Sequence, residues 1–470
     1  MVFSSLYFLF IFLPVSLALY YIVPKKARNV VLILLSLVFY AWGTPEYIIL
    51  MLFSVVFNYC AGIYMDTLRQ DGKEKATRLV MVVTVVVNLL LLGFFKYWGF
   101  VVENLNRIPF LHLSYQELPL PIGISFYTFQ VLTYIFDVYR QKVTVQRNFI
   151  LYATYVTFFP KLVSGPIVPY KDMEAQLANR SMSWNKFGEG AVLFFVGLFK
   201  KVLLADNLGV GFNAITAMPL DNMSTVTAWL GSILYTLMLY FDFSGYSDMA
   251  IGVAKMFGFD FNKNFDYPYS AKSITEFWRR WHISLGSWFR DYLYFPLGGS
   301  RCSTPKILRN LLIVWLCTGI WHGAAWTFLF WGLIHGAAQI LEKFPLRKAL
   351  EKVPGWLKWL GTMLVVHFGW VFFFSADLGS ALAWIGQMFG AGAGGFLDAT
   401  AKYYLGSNWL LILVAIIGCG PLVKNFAVNF ISRKGTVRRV VAIGMFALLL
   451  ICCIAYMMNA TYSSFLYFNF

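Results

Sequence analysis

Long apolar runs separated by short loops rich in Lys and Arg divide the chain from end to end. The runs lie at 2–23, 30–40, 47–65, 79–98, 119–137, 188–204, 226–257, 357–374, 409–422 and 440–458, and they are continuous. Membrane barrel strands would instead alternate over about ten residues. Continuous runs predict helices, which satisfy their own backbone groups where no water is present. The run 2–23 is too long for a signal peptide and lacks its basic start and small-residue cleavage site, so it is expected to be the first spanning helix. Basic clusters follow alternate runs: Lys25, Lys26 and Arg28; Arg69, Lys73, Lys75 and Arg78; Arg140, Lys142 and Arg147; Lys424, Arg433, Lys434, Arg438 and Arg439. The positive-inside rule makes that side cytoplasmic. Both termini, including the C-terminal segment 465–470, are then extracytoplasmic. The loop 103–117 and the stretch 376–407, with its glycine run at 390–395, are expected outside, and the second helix is expected to end near Gly43, Thr44 and Pro45.

Three stretches depart from simple spans. Residues 149–170 carry Pro160, Gly165 and Pro166 within apolar sequence. Proline interrupts a helix, and irregular backbone at membrane depth is tolerated only where protein or a cavity surrounds it. Either a broken segment lining a cavity or a kinked helix without a chemical role satisfies this pattern. Residues 275–293, in the basic region 255–309, read as one amphipathic helix at the membrane interface, with Thr275 as N-cap. At 100° per residue Phe277, Trp278, Trp281, Leu285, Trp288, Phe289 and Tyr292 share one face. Arg279, His282, Gly286 and Arg290 share another, open to an anionic, phosphate-bearing ligand or to lipid headgroups. Residues 310–340 lie between Arg309 and Lys343, both in basic loops. One crossing would separate those loops, and two crossings at about 20 residues each need a longer run. A re-entrant hairpin turning at residues 319–323 fits both, with His322 near the midplane. Ionisable groups at that depth mark functional sites.

Composition sharpens this picture. Charged residues are 13% of the chain and hydrophobic residues 59%, against about 25% charged in soluble domains, so the chain is an all-α polytopic membrane protein. The net charge of +16 sits in loops between apolar runs and therefore does not imply nucleic acid. The six cysteines form no CxxC pair, so neither a disulfide framework nor a zinc site is expected. No separate soluble domain or internal repeat is visible, and residues 1–470 read as one membrane domain.

The chemistry concentrates in two Trp-His pairs, Trp281-His282 and Trp321-His322, among only five histidines. A histidine held by protein inside the membrane suits general-base activation of a hydroxyl attacking an acyl thioester. No nucleophile elbow, HExxH, Walker loop or dinucleotide fingerprint competes. His335 and His367 lie on apolar helices and read as core histidines, and His112 lies in a loop. Trp281, Trp321, Arg279, Arg290, Asp291, Asp242 and Asp248 are candidate substrate-binding residues. For Asp242 an ion pair with an arginine from elsewhere is the structural alternative. A transporter without chemistry would also use polytopic helices and intramembrane charge, but it needs no buried histidine.

The sequence resembles the membrane-bound O-acyltransferases, in particular their bacterial branch that O-acetylates alginate. The resemblance covers essentially the whole chain. It rests on SFYTFQ at 125–130, FFPK at 158–161, SGPIV at 164–168, YFDFSGYSDMA at 240–250, FWRRWHISL at 277–285, RDYLYFPLGG at 290–299 and WHG at 321–323. It implies a ring of helices pinched around a central funnel or tunnel with re-entrant segments, with the family's catalytic histidine at His322 and its second key position at His282. It also implies transfer of acyl groups, usually acetyl, from a cytoplasmic thioester such as acetyl-CoA toward a cell-envelope polysaccharide. No bound cofactor is implied. An extracytoplasmic SGNH-type acetyltransferase is the expected partner, and the bacterial plasma membrane the expected location. Alginate, peptidoglycan and, more distantly, D-alanylated teichoic acid are the polymers served by this branch.

Overall fold

The computed structural model describes residues 1–43, 45–116, 118–432 and 435–459. Thr44, Glu117, Arg433, Lys434 and the C-terminal segment 465–470, used above for helix ends and topology, lie outside the described residues. Those residues form helices joined by turns and loops, without a strand. Among the described residues six helices are long and apolar enough to cross a membrane: Pro45–Gln70, Glu74–Leu105, Thr225–Met256, Gly355–Phe374, Ala399–Gly418 and Thr436–Asn459. The protein is a multi-pass membrane protein. Its residues group into two compact units, one of 1–194 with 247–262 and one of 195–246 with 263–470.

In the first unit Ile48–Gln70 and Glu74–Leu105 pack together around a reciprocal amide pair. Asn58 Nδ2 donates to Asn88 Oδ1 at 3.1 Å and Asn88 Nδ2 to Asn58 Oδ1 at 2.9 Å. Each amide also donates to the carbonyl one turn earlier, Ser54 or Thr84. Apolar surroundings provide no water to such groups, so they bind across the helices. The expected first span is helical over Phe8–Ile22, shorter than a full crossing. Residues 149–170 are broken, as proline and glycine predict. Helix Phe149–Thr157 stops at Phe158 (φ −53°, ψ 108°), and a single turn, Phe159–Leu162, follows. The freed Phe159 N–H donates to Ser36 Oγ at 3.0 Å. Lys161, fully buried, donates to Gln130 Oε1 at 2.5 Å and sits 3.9 Å from the Tyr155 ring centroid.

In the second unit the sequence around residues 310–340 forms an antiparallel helical hairpin, Thr304–His322 and Trp326–Lys343, of 19 and 18 residues, or about 28 and 27 Å. Both arms outrun the apolar stretch, because Thr304–Arg309 and Leu341–Lys343 continue the helices. The turn comes just after His322, at residues 323–325. Gly319 belongs to the packing between the arms and not to the turn. A Cβ on Gly319 would lie 2.5 Å from the Phe328 carbonyl oxygen, and one on Gly332 would lie 2.5 Å from that of Trp315. The arms therefore meet backbone to backbone. At the turn, Gly323 leaves room for the Phe328 ring, which a Cβ would strike at 2.1 Å.

One expectation is corrected in this unit. Residues 275–293 are not one helix. They form Ile274–Arg280 and Ile283–Phe289, then a wider π turn, Arg290–Tyr294, with Trp281 extended and His282 left-handed at φ 43° between the two short helices. The N-cap is Ser273, whose Oγ accepts from Glu276 N at 2.9 Å, and not Thr275. Residues 376–407 are largely helical, over Leu378–Met388 and from Ala399 onward. Asp377 and Asp398 cap these helices by accepting from Ser380 N at 2.9 Å and Ala401 N at 2.7 Å, the usual role of a short acidic side chain there. Within the glycine run, the Gly395 carbonyl accepts from Thr225 N at 3.0 Å.

The backbone contact between the hairpin arms has a direct test. Gly332→Leu should destabilise the protein by about 1–3 kcal/mol or more, since the new atoms meet backbone. Gly444→Leu, with open space around the glycine, should leave the thermal unfolding midpoint in detergent nearly unchanged.

Candidate active site

His322 is the last residue of its helix, where the chain turns, and is 1% exposed. Its ring meets Trp331 edge-on at 4.7 Å between centroids, Phe373 at 5.3 Å and its own neighbour Trp321 at 5.1 Å. The C-terminal end of a helix favours positive charge, which suits a group that accepts a proton as it works. His282 is also 1% exposed. Its Nδ1 lies 3.3 Å from Asn264 Oδ1 and 3.5 Å from Ser284 Oγ. Phe243 packs on it at 4.7 Å, and the Trp321 ring at 6.1 Å. The indole of Trp321 thus contacts both imidazoles. Two Trp-His pairs 40 positions apart in the sequence come together on one ring.

The left-handed backbone at His282 explains why it leaves the polar stripe. A continuous helix would carry its ring beside Arg279 and Arg290, which are exposed. The extended Trp281 and the reversal at His282 turn the imidazole inward. Asn264 fixes this corner: its Oδ1 accepts from Ser284 N at 3.0 Å, while its backbone carbonyl accepts from Ile283 N at 2.9 Å. Asn264 has no spacing signal in the sequence that would mark it. Trp281 is fully buried, stacked on Phe277 at 5.6 Å and tilted against Trp370 at 5.0 Å.

The remaining site residues fall into different surroundings. Asp242 is buried and ion-paired. Lys201 Nζ lies 2.7 Å from both Asp242 Oδ1 and Asp206 Oδ1, with the Lys201 side chain 3% exposed. Asp242 is thus ion-paired, but its partner is a lysine and not the expected arginine. Burial without such pairing would cost several kcal/mol per ion. Asp248 is half-buried and belongs to the first unit. Asp291 accepts from Arg290 Nε at 2.8 Å. His335 is enclosed by Trp278, Trp315 and Trp331, its Nδ1 accepting from Trp278 Nε1 at 3.3 Å. His367 has both ring nitrogens engaged, with Ser232 at 2.9 Å and Thr236 at 3.1 Å. Both behave as core histidines. His112 is exposed.

Arg279 and Arg290 open onto a cleft of about 1020 Å³ in the second unit. Lys272, Lys343, Arg347 and Lys358 add positive charge at its rim; Glu342 and Glu351 are its acids. Glu342 is committed to structure, accepting from Ile274 N at 2.5 Å and Thr275 N at 3.2 Å, and burial pushes its carboxyl above the ordinary range against those bonds. Deeper in the cleft the walls are Trp278, Val314, Trp315 and Thr318. Neither imidazole of the Trp-His pairs lines it. Trp331 stands between, 6.4 Å from Trp315 and 4.7 Å from His322 between centroids. Among the described residues no group of three His, Cys, Asp or Glu side chains is placed to hold a metal ion.

Comparison with known proteins identifies the family. The family model for membrane-bound O-acyltransferases matches residues 35–374, a span that contains both Trp-His pairs and the hairpin. The probable alginate O-acetylase AlgI of Pseudomonas aeruginosa is 45% identical over 399 residues, covering 83% of this chain and 75% of that protein. The probable alginate O-acetylase AlgI of Pseudomonas putida is 39% identical with both chains covered completely. The peptidoglycan O-acetyltransferase of Helicobacter pylori is 37% identical over 429 residues, covering 83% of this chain and 80% of that one. The chain belongs to the membrane-bound O-acyltransferase family and is an acyltransferase.

Proposed function

We propose that this enzyme takes an acetyl group from a cytoplasmic thioester, acetyl-CoA, and passes it across the plasma membrane for O-acetylation of an extracytoplasmic polysaccharide. The observation that carries this reading is the meeting of the His282 and His322 rings on Trp321, in the unit that also holds the basic cleft. Alginate is the polymer favoured by the relatives at 39–45% identity; peptidoglycan is the second reading, from the relative at 37%. An extracytoplasmic SGNH-type acetyltransferase completes the transfer.

In this reading His322 is the general base. Its neutral imidazole takes the proton of an acceptor hydroxyl as the oxygen bonds to the thioester carbonyl carbon. The C–S bond then breaks, and the thiolate recovers the proton from the imidazolium, leaving the free thiol. His282, oriented by Asn264, lines the same centre. Arg279 and Arg290 bind the phosphates of the donor at the cleft mouth, where exposed guanidinium groups offer charge-assisted hydrogen bonds. The hairpin is re-entrant, with its open end at the cytoplasmic face and His322 inside the bilayer.

His322→Ala should lower acetyl-CoA turnover by the purified enzyme, and polymer acetylation in cells, at least about 100-fold with an unchanged elution profile. His282→Asn keeps a residue type that tolerates left-handed backbone and should also lose most turnover. Normal turnover in both variants would end the assignment. Arg279→Gln with Arg290→Gln should raise KM for acetyl-CoA roughly five- to tenfold with little change in kcat; a loss confined to kcat would remove these residues from donor binding. Single cysteines placed at Arg309 and Lys343 in a cysteine-free background should react with an impermeant maleimide from the same face. Labelling from opposite faces would refute the re-entrant hairpin.

A further inference from the structure

The first unit contains a second basic cleft, of about 770 Å³, that the acyl-transfer reading leaves unused. Lys25, Arg28 and Arg180 line it, and no acidic residue does. Among the described residues no carboxylate pairs with any of the three. Arg28 is half-buried and under-satisfied. Its Nη1 points at the Met182 thioether, 2.8 Å away, a weak acceptor, and its buried Nε has no hydrogen-bond partner. Arg180 is held in place by Tyr20, with Nε donating to the phenol oxygen at 2.6 Å, and by the Phe259 ring at 4.6 Å from Cζ to centroid. Arg180 Nη1 also donates to the Leu177 carbonyl at 3.3 Å, and two half-buried guanidinium groups thus stand in the wall of the cleft with N–H donors beyond those the protein engages.

The rim of the cleft indicates which anion. Helix Phe8–Ile22 ends there with Leu19 and Ile22 exposed, the latter 79%. Helix Trp184–Phe199 begins there with Trp184 85% exposed, and exposes Val192 and Val196 further along. Apolar surface for acyl chains leads up to an exposed Trp, the residue enriched at headgroup depth, and then to unpaired cations. We propose that this cleft is a binding site for the phosphate of an anionic phospholipid, with Arg28, Arg180 and Lys25 on the phosphate and the chains along the two helices. The proposal is independent of the acyl donor and of the role of His322.

The test is native mass spectrometry of the full-length protein released from membranes of equimolar phosphatidylglycerol and phosphatidylcholine. Phosphatidylglycerol should be retained selectively. Arg28→Gln and Lys25→Gln should each lower its retention about fivefold, the weight of one basic residue at an anionic surface. Lys75→Gln, a basic residue in the first turn of Glu74–Leu105, should not. Lys25 is exposed, so its variant reports even if Arg28→Gln fails to fold. Retention unchanged in Lys25→Gln, or lowered equally in Lys75→Gln, would overturn the site. Displacement of the lipid by excess inorganic phosphate would overturn the lipid assignment in favour of a soluble phosphate ligand.

Discussion

The candidate site depends on the backbone contact between the two arms of the hairpin. Gly319 and Gly332 let the helices touch without side chains between them. In lipid there is no hydrophobic gain in bringing two apolar helices together, so close packing has to supply the attraction. The large residues are displaced to the sides of this seam. Trp315 and Trp331 flank it and, with Trp278, enclose His335. Trp321, Trp331 and Phe373 then form the walls around His322. An imidazole on an isolated helix end would be mobile. Here, three rings at 4.7–5.3 Å between centroids define its position before any substrate arrives.

Much of this was legible in the sequence because apolar length and glycine position are local quantities. A run too long for one crossing and too short for two predicts a hairpin, and the turn falls one residue beyond His322. Proline and glycine at 160, 165 and 166 predict the break that Phe158 makes. What was not legible has a common cause. The helical wheel over 275–293 assumes 100° at every step, and a single left-handed residue at His282 invalidates it for everything downstream. That reversal depends on Asn264, 18 positions earlier, a tertiary contact without sequence periodicity.

The same limit applies to charge. The sequence places Asp242 in an apolar helix and allows either a ligand or an ion pair. It cannot show that Lys201 reaches it, because the lysine sits in a wider π turn, Lys200–Ala205, that interrupts helical spacing. In the structure Lys201 takes two carboxylates at 2.7 Å, which fixes the middle of Thr225–Met256 by charge as well as by packing. Lys161, in the other unit, is equally buried but meets an amide oxygen and an aromatic face. Buried cations in this protein are therefore answered in two ways, by full neutralisation and by dipoles and π density.

These surroundings separate the basic residues that hold the fold together from those that can meet a ligand. Lys201 and Lys161 are buried against the partners that justify their burial, away from solvent. Arg279 and Arg290 are exposed at a cleft whose Glu342 is already committed to the amides at the start of Ile274–Arg280. That commitment matters to the site. By holding the first turn of the short helix, Glu342 anchors the segment whose other end reverses at His282. One carboxylate at the cleft and the segment that turns the imidazole inward are therefore joined by a single short helix of seven residues.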